Sequence, residues 1–413
     1  MEIRAVRNCL SRVLVGGSLV VAGAGCAAGG EAQAVAAGTD GAEWRGSVVS
    51  VTPVVRMSRT DVPRYLEKED PRLGSPQASR GINGFRVLYR TISPSGRPIV
   101  ASGVVALPRD GAKVLRAVSF THGTQVWRDT AGSVAADGQG RIAAIYYAAA
   151  GYAGVAPDYL GLGMGEGKHP YMDAASEASA SLDMLRAART VAGRQGRRLE
   201  RRVLVTGYSQ GGHAAMALGR QLQQGADPYL RLGALAPVSG PYDTHVQIPA
   251  SLDGSLDSRT SAFYLAYATV AWNRLHRIYE KPSEVFQAPY DTFLEGLFDG
   301  SHDEQEIVPQ LPASPEQLLT SRYLTRLRQP SGGLLRAFQA VDGTCDWAPR
   351  APVRLYGATG DEQVSFANTR SCARTLHKHG KRPQVVDYGT NVHHFDTLYR
   401  ALPDTLRWFQ KAA

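Results

Sequence analysis

Val203-Leu204-Val205-Thr206-Gly207-Tyr208-Ser209-Gln210-Gly211-Gly212-His213-Ala214-Ala215-Met216-Ala217-Leu218 reads as an apolar strand that turns sharply into a small-residue helix, with a serine at the corner. A serine hydroxyl is a weak nucleophile unless it stands clear of its strand beside a base, and a strand-to-helix turn presents it only where small residues flank it. Gly207 and Gly211 are those residues. The five-residue motif alone carries little weight, because a chain with 44 glycines among 413 residues produces it by chance roughly one time in three. Its surroundings decide.

On both sides of this stretch the chain alternates between strand-like and helix-like segments. Upstream, Phe85 to Thr91 and Ile99 to Leu107 are β-rich runs joined by Ser93-Pro94-Ser95-Gly96-Arg97-Pro98, which predicts a hairpin. Then come a strand over 114–121, a helix over 142–150, a strand over 153–156, a helix over 174–192, the quoted strand and helix, and a strand over 232–238. After a long interruption the pattern resumes with a strand over 353–356, a helix over 365–378, a strand over 384–387 and a helix over 395–409. Alternation of this kind predicts an α/β fold with a mostly parallel sheet covered by helices on both faces. The interruption, residues 242–344, is too long for a connecting loop and carries helix-like segments, so it is expected to form a cap. Core segments are then 84–241 and 345–413. Residues 35–83, with Pro53, Pro63, Pro71 and Pro76, are expected to form an irregular arm on the core.

In an open α/β sheet, functional groups collect beyond the carboxyl ends of the strands. Ser209 stands there. So does Asp361, after the apolar run ending in Tyr356, where a carboxylate can orient an imidazole and stabilise its charged form; Glu362 is the alternative acid. His393 and His394 lie in the loop before the closing helix, where a general base belongs, and the base is expected to be His394 with His393 as the alternative. Two backbone N–H groups are expected to face the oxyanion of a tetrahedral intermediate, those of Gln210 and Thr124. His122, beside Thr124, is expected to pack and hold its loop.

The order serine, acid, histidine, together with Thr121-His122-Gly123-Thr124, Ala156-Pro157-Asp158-Tyr159-Leu160-Gly161-Leu162-Gly163, Gly207 to Gly211, Gly360-Asp361 and His393-His394, resembles the α/β-hydrolase superfamily. More narrowly it is similar to secreted lipases and esterases of the Candida lipase A type. The resemblance spans about residues 84–413. It implies hydrolysis of small-molecule carboxylic esters or lipids through an acyl-serine intermediate, without a cofactor or metal, under a helical cap inserted between the sixth and seventh core strands. Two readings on the same fold stay open, a serine exo- or oligopeptidase and an acyltransferase. The glycine run Gly161-Leu162-Gly163-Met164-Gly165-Glu166-Gly167-Lys168 has the spacing of neither a dinucleotide loop nor a Walker loop. No metal-protease or paired-cysteine motif occurs.

The net charge of +9 comes from scattered arginines and from Arg4, Arg7 and Arg12 in the leader, so it does not point to nucleic acid. Those three arginines precede a short apolar stretch, and residues 1–34 are expected to be an export signal. Cleavage before Cys26 would leave a lipidated, membrane-anchored protein, and cleavage after Ala34 a free one secreted beyond the membrane or held in the cell envelope. Of the 4 cysteines, Cys345 and Cys372 remain apart from the leader and are expected to pair in an oxidising compartment. Oligomeric state is not legible in the sequence.

Overall fold

Apolar runs with every residue buried, such as Val203-Leu204-Val205, form central strands because both faces of a parallel sheet are covered. In the computed structural model, which describes residues 44–74, 76 and 79–412, nine strands make a single sheet. They are β1 (Val48–Met57), β2 (Ile82–Ile92), β3 (Pro98–Pro108), β4 (Val114–Thr121), β5 (Ala153–Pro157), β6 (Arg198–Tyr208), β7 (Arg231–Val238), β8 (Arg354–Gly357) and β9 (Gln384–Asp387). The spatial order is β1-β2-β3-β5-β4-β6-β7-β8-β9. Strands β1, β2, β3 and β5 pair antiparallel. From β5 to β9 every pairing is parallel. This is the α/β-hydrolase sheet with one strand added at its edge.

The longer helices are α1 (Asp61–Glu69), α2 (Gln139–Ala149), α3 (Ala174–Arg194), α4 (Gln210–Gln224), α5 (Thr244–Leu252), α6 (Ser258–His276), α7 (Ser321–Arg328), α8 (Gly332–Val341), α9 (Ala367–Lys378) and α10 (His394–Ala412). One face of the sheet packs with α3, α4 and α9 through residues such as Leu185, Met216 and Leu376. The other packs with α1, α2 and α10 through Leu66, Ile145 and Phe409. The insertion between β7 and β8 has its own apolar core, centred on α6 and including Phe263, Tyr267, Trp272 and Phe298.

The expected irregular arm is instead an edge strand and a helix. Pro53 sits in β1 opposite Phe85, next to a register shift; the missing N–H does no harm in a strand with a neighbour on only one side. Pro63 lies in the first turn of α1, where its N–H would have no intrahelical acceptor. These prolines mark the edge and the turn, not the absence of structure. The expected export signal with Cys26 and Ala34 lies outside the described residues.

Cys345 and Cys372 form a disulfide, joining the point where the insertion returns to the core with helix α9. A crosslink closing a loop over a sequence separation of 27 stabilises by about 3.5 kcal/mol, chiefly by restricting the unfolded chain. Guanidinium unfolding with and without reductant should therefore differ by about that amount, and identical midpoints would show that the crosslink contributes nothing.

Candidate active site

Ser209 joins β6 to α4 with φ 58° and ψ −124°, a backbone conformation that a residue with a side chain adopts only under constraint. The constraint is visible in its neighbours. A Cβ on Gly211 would lie 1.9 Å from the Thr121 carbonyl oxygen, and one on Gly207 would lie 2.0 Å from the Thr121 hydroxyl, so only glycine lets α4 start against the end of β4. The Thr121 hydroxyl is shared between the carbonyls of Gly211, at 2.7 Å, and Thr206. The Ser209 N–H donates to the Val238 carbonyl.

The sharp turn aims the Ser209 hydroxyl at the start of α10. Its Oγ lies 2.9 Å from His394 Nε2, and His394 Nδ1 lies 2.7 Å from Asp361 Oδ2. With Nδ1–H donating to the carboxylate, Nε2 is left to accept from the serine; the network assigns this tautomer. Asp361 Oδ1 accepts from the N–H groups of Gln363 and Val364, which fixes the carboxylate plane. His394 is buried and its ring lies against Tyr208, centroids 4.9 Å apart.

Adjacent His393 points away. Its side chain is 68% exposed and meets Glu362 Oε2 at 3.2 Å. Glu362 also accepts from the backbone N–H of His394, so it braces the helix start and does not meet the ring that faces Ser209.

Thr124 lies in the loop after β4 and lines, with Ser209, two cavities that meet at the serine. Neither the Thr124 N–H nor the Gln210 N–H finds an acceptor among the described residues. His122 is buried under this loop, donates from Nδ1 to the Gly123 carbonyl at 2.7 Å, and lies against Tyr159 with the rings tilted and their centroids 4.4 Å apart. Burial lowers its pKa, keeping the ring neutral.

Sequence reasoning missed the layer behind the turn. Gln210 is buried, and its side-chain amide donates to Glu177 Oε1 at 2.7 Å and to His169 Nε2 at 2.8 Å. His169 can accept there because its Nδ1–H donates to the Leu160 carbonyl, and burial depresses its pKa to about 3. The second Glu177 oxygen meets His213 Nδ1 at 2.8 Å, while His213 Nε2 donates to the Val341 carbonyl of α8 at 2.7 Å. Burial opposes a charged His213, yet the Glu177 carboxylate and the Val341 carbonyl outweigh it and raise its pKa. The one available signal was Glu177, an acid inside the Ala/Ser-rich run of α3.

Solved structures share this architecture. A Legionella pneumophila protein known as a candidate hydrolase is 27% identical, with a TM-score of 0.82 over 88% of this chain and 98% of its own. The rice cell wall degrading esterase LipA from Xanthomonas oryzae is 28% identical, with a TM-score of 0.75 over 87% of this chain and 95% of its own. Candida antarctica lipase A, at 17% identity, has a TM-score of 0.66 over 89% of this chain and 82% of its own; this last likeness is one of fold. The sequence matches no protein-family model and no curated protein.

The paired His213 predicts a pH signature. A histidine whose folded pKa lies above its unfolded value near 6.5 stabilises fully below that value, and the contribution fades as pH rises through the folded pKa. Glu177→Gln should cost roughly 3 kcal/mol at pH 6, because it strands a buried cation, and less at alkaline pH. Denaturant titrations across this range check it, and a cost independent of pH would refute the ion pair.

Proposed function

We propose that this α/β-hydrolase, similar to the esterases and lipases above, is a serine carboxylic-ester hydrolase in which Ser209, His394 and Asp361 act as a catalytic triad. The observation that carries the reading is the continuous relay from Asp361 Oδ2 through His394 to Ser209 Oγ, 2.7 Å and 2.9 Å long. His394 Nε2 takes the hydroxyl proton as Ser209 Oγ bonds to the ester carbonyl carbon. Asp361 holds the imidazole in the required tautomer and stabilises the imidazolium. The N–H groups of Gln210 and Thr124 receive the oxyanion, acting most strongly on charge that develops in the transition state. When the carbon–oxygen bond to the alcohol breaks, the proton on Nε2 passes to the departing oxygen. Water then attacks the acyl-serine, giving its proton to Nε2, and the acid leaves as the proton returns to Ser209.

We propose also that the chain acts after export. The Cys345–Cys372 disulfide supports an oxidising compartment, and no described helix is long and apolar enough to cross a membrane. Mass spectrometry of the mature N-terminus distinguishes a lipidated Cys26 from a cut after Ala34, and an uncleaved leader on cell-produced protein would refute export by this route.

The triad reading predicts hydrolysis of short-acyl p-nitrophenyl esters and labelling of Ser209 by a fluorophosphonate. Ser209→Ala and His394→Ala should each lower kcat by at least about a thousandfold, whereas His393→Ala should lower it far less. More than a thousandth of the activity remaining in Ser209→Ala would overturn the mechanism. Faster cleavage of aminoacyl-nitroanilides than of esters would replace it with a peptidase.

A further inference from the structure

Two unlike cavities meet at Ser209. The wider, about 380 Å³, contains His394, Trp127, Phe395 and the carboxylates Asp137, Asp303 and Glu304. The narrower, about 70 Å³, is walled by apolar groups of the insertion and its neck, including Ile248, Leu265, Trp272 and Val341, and His394 does not reach it.

Proton delivery decides which half of an ester enters which cavity. In the mechanism proposed above, on which this inference rests, the departing alcohol oxygen takes its proton from His394 Nε2. The alcohol must therefore occupy the cavity that contains His394. The acyl chain is left with the narrow one, whose volume holds roughly two to five non-hydrogen atoms at the space needed per water.

The wide cavity has a definite charge. Its lining contains three carboxylates and neither lysine nor arginine, in a chain whose net charge is +9. Neither Asp137 nor Glu304 forms a salt bridge among the described residues. Desolvation at the cavity wall, and then the nearby Asp303, raises the pKa of Glu304, whose side chain still reaches solvent. Trp127, Tyr208, Tyr264 and Phe395 add aromatic faces to the same wall, and Phe395 is half exposed. Aromatic faces among carboxylates attract a cation that is too weakly hydrated to stay in water, such as a quaternary ammonium.

We infer that the preferred substrate is an ester of a short acyl group with a cationic alcohol, the acyl chain in the narrow cavity and the cation among the rings and carboxylates of the wide one. The test compares butyrylcholine with 3,3-dimethylbutyl butyrate, which replaces the ammonium nitrogen by carbon and keeps the shape. At low salt kcat/KM should favour butyrylcholine by at least about fivefold, the factor expected from one carboxylate at contact distance in water. The preference should shrink in 1 M salt. Glu304→Gln combined with Asp137→Asn should lower the same ratio, and octanoylcholine should be cleaved at least about tenfold more slowly than butyrylcholine, with Trp272→Ala narrowing that gap. Equal or better turnover of the neutral ester at low salt would overturn the charge assignment, as would an unchanged ratio in the double variant or failure to cleave either alkyl ester. Octanoyl turnover matching butyryl would overturn the acyl assignment. All of these outcomes leave the triad intact so long as Ser209→Ala removes the activity; persistence of activity in that variant would be a failure of the underlying mechanism instead.

Discussion

The tightest constraint in the molecule is the contact between the start of α4 and the end of β4, where Gly207 and Gly211 leave no space for a methyl group beside Thr121. It forces Ser209 into a positive-φ conformation, lifting the side chain off the sheet and turning the first N–H groups of α4 outward. The same contact brings the loop carrying Thr124 next to the serine. Backbone strain on the order of 1–3 kcal/mol is held in place by neighbours on both sides, since the Ser209 N–H is bonded to β7 and the Thr121 hydroxyl to the first turn of α4. A small error in that packing would displace the Ser209 hydroxyl and the Gln210 and Thr124 N–H groups together.

Strand and helix order was readable because buried parallel strands need unbroken apolar runs and their crossovers need helices. The elements around Ser209, Asp361 and His394 lie where those runs place them. Pro53 misled because proline reports a missing N–H, and only topology says whether the strand has a second neighbour to miss it. His393 and His394 could not be separated by pattern alone, since one residue of rotation at a helix start decides which ring faces inward. The group behind the turn left only a faint mark in the sequence, at Glu177, for a different reason. Glu177, His169, Gln210 and His213 come from three segments that meet only in the folded chain, and each taken singly resembles an ordinary helix or loop residue.

The insertion is fastened to the acid-bearing turn as well as to the sheet. The Glu362 carbonyl accepts from the Asp257 N–H, the Gln363 carbonyl from Gln247, and the Gln363 side chain from the Tyr264 hydroxyl. On the opposite side, the Tyr267 hydroxyl donates to the Gln125 carbonyl in the loop that carries Thr124. Residues that wall the two cavities are thereby coupled to the turn that carries Asp361 and the loop that carries Thr124. Movement of α5 or α6 would act both on the turn that carries Asp361 and on the cavity wall at Ser209.

At its neck the insertion is closed on itself. The Thr244 N–H and hydroxyl both donate to Asp342, each at 2.7 Å, so the chain departs from β7 and comes back toward β8 at nearly the same point. A segment whose ends are pinned together presents the sheet with a fixed span whatever its internal length, and lengthening it costs little loop entropy. The neck is a natural splice site. Changes of length between Thr244 and Asp342 are therefore absorbed inside the insertion, provided its contacts to Gln125, His213, Glu362 and Gln363 are kept.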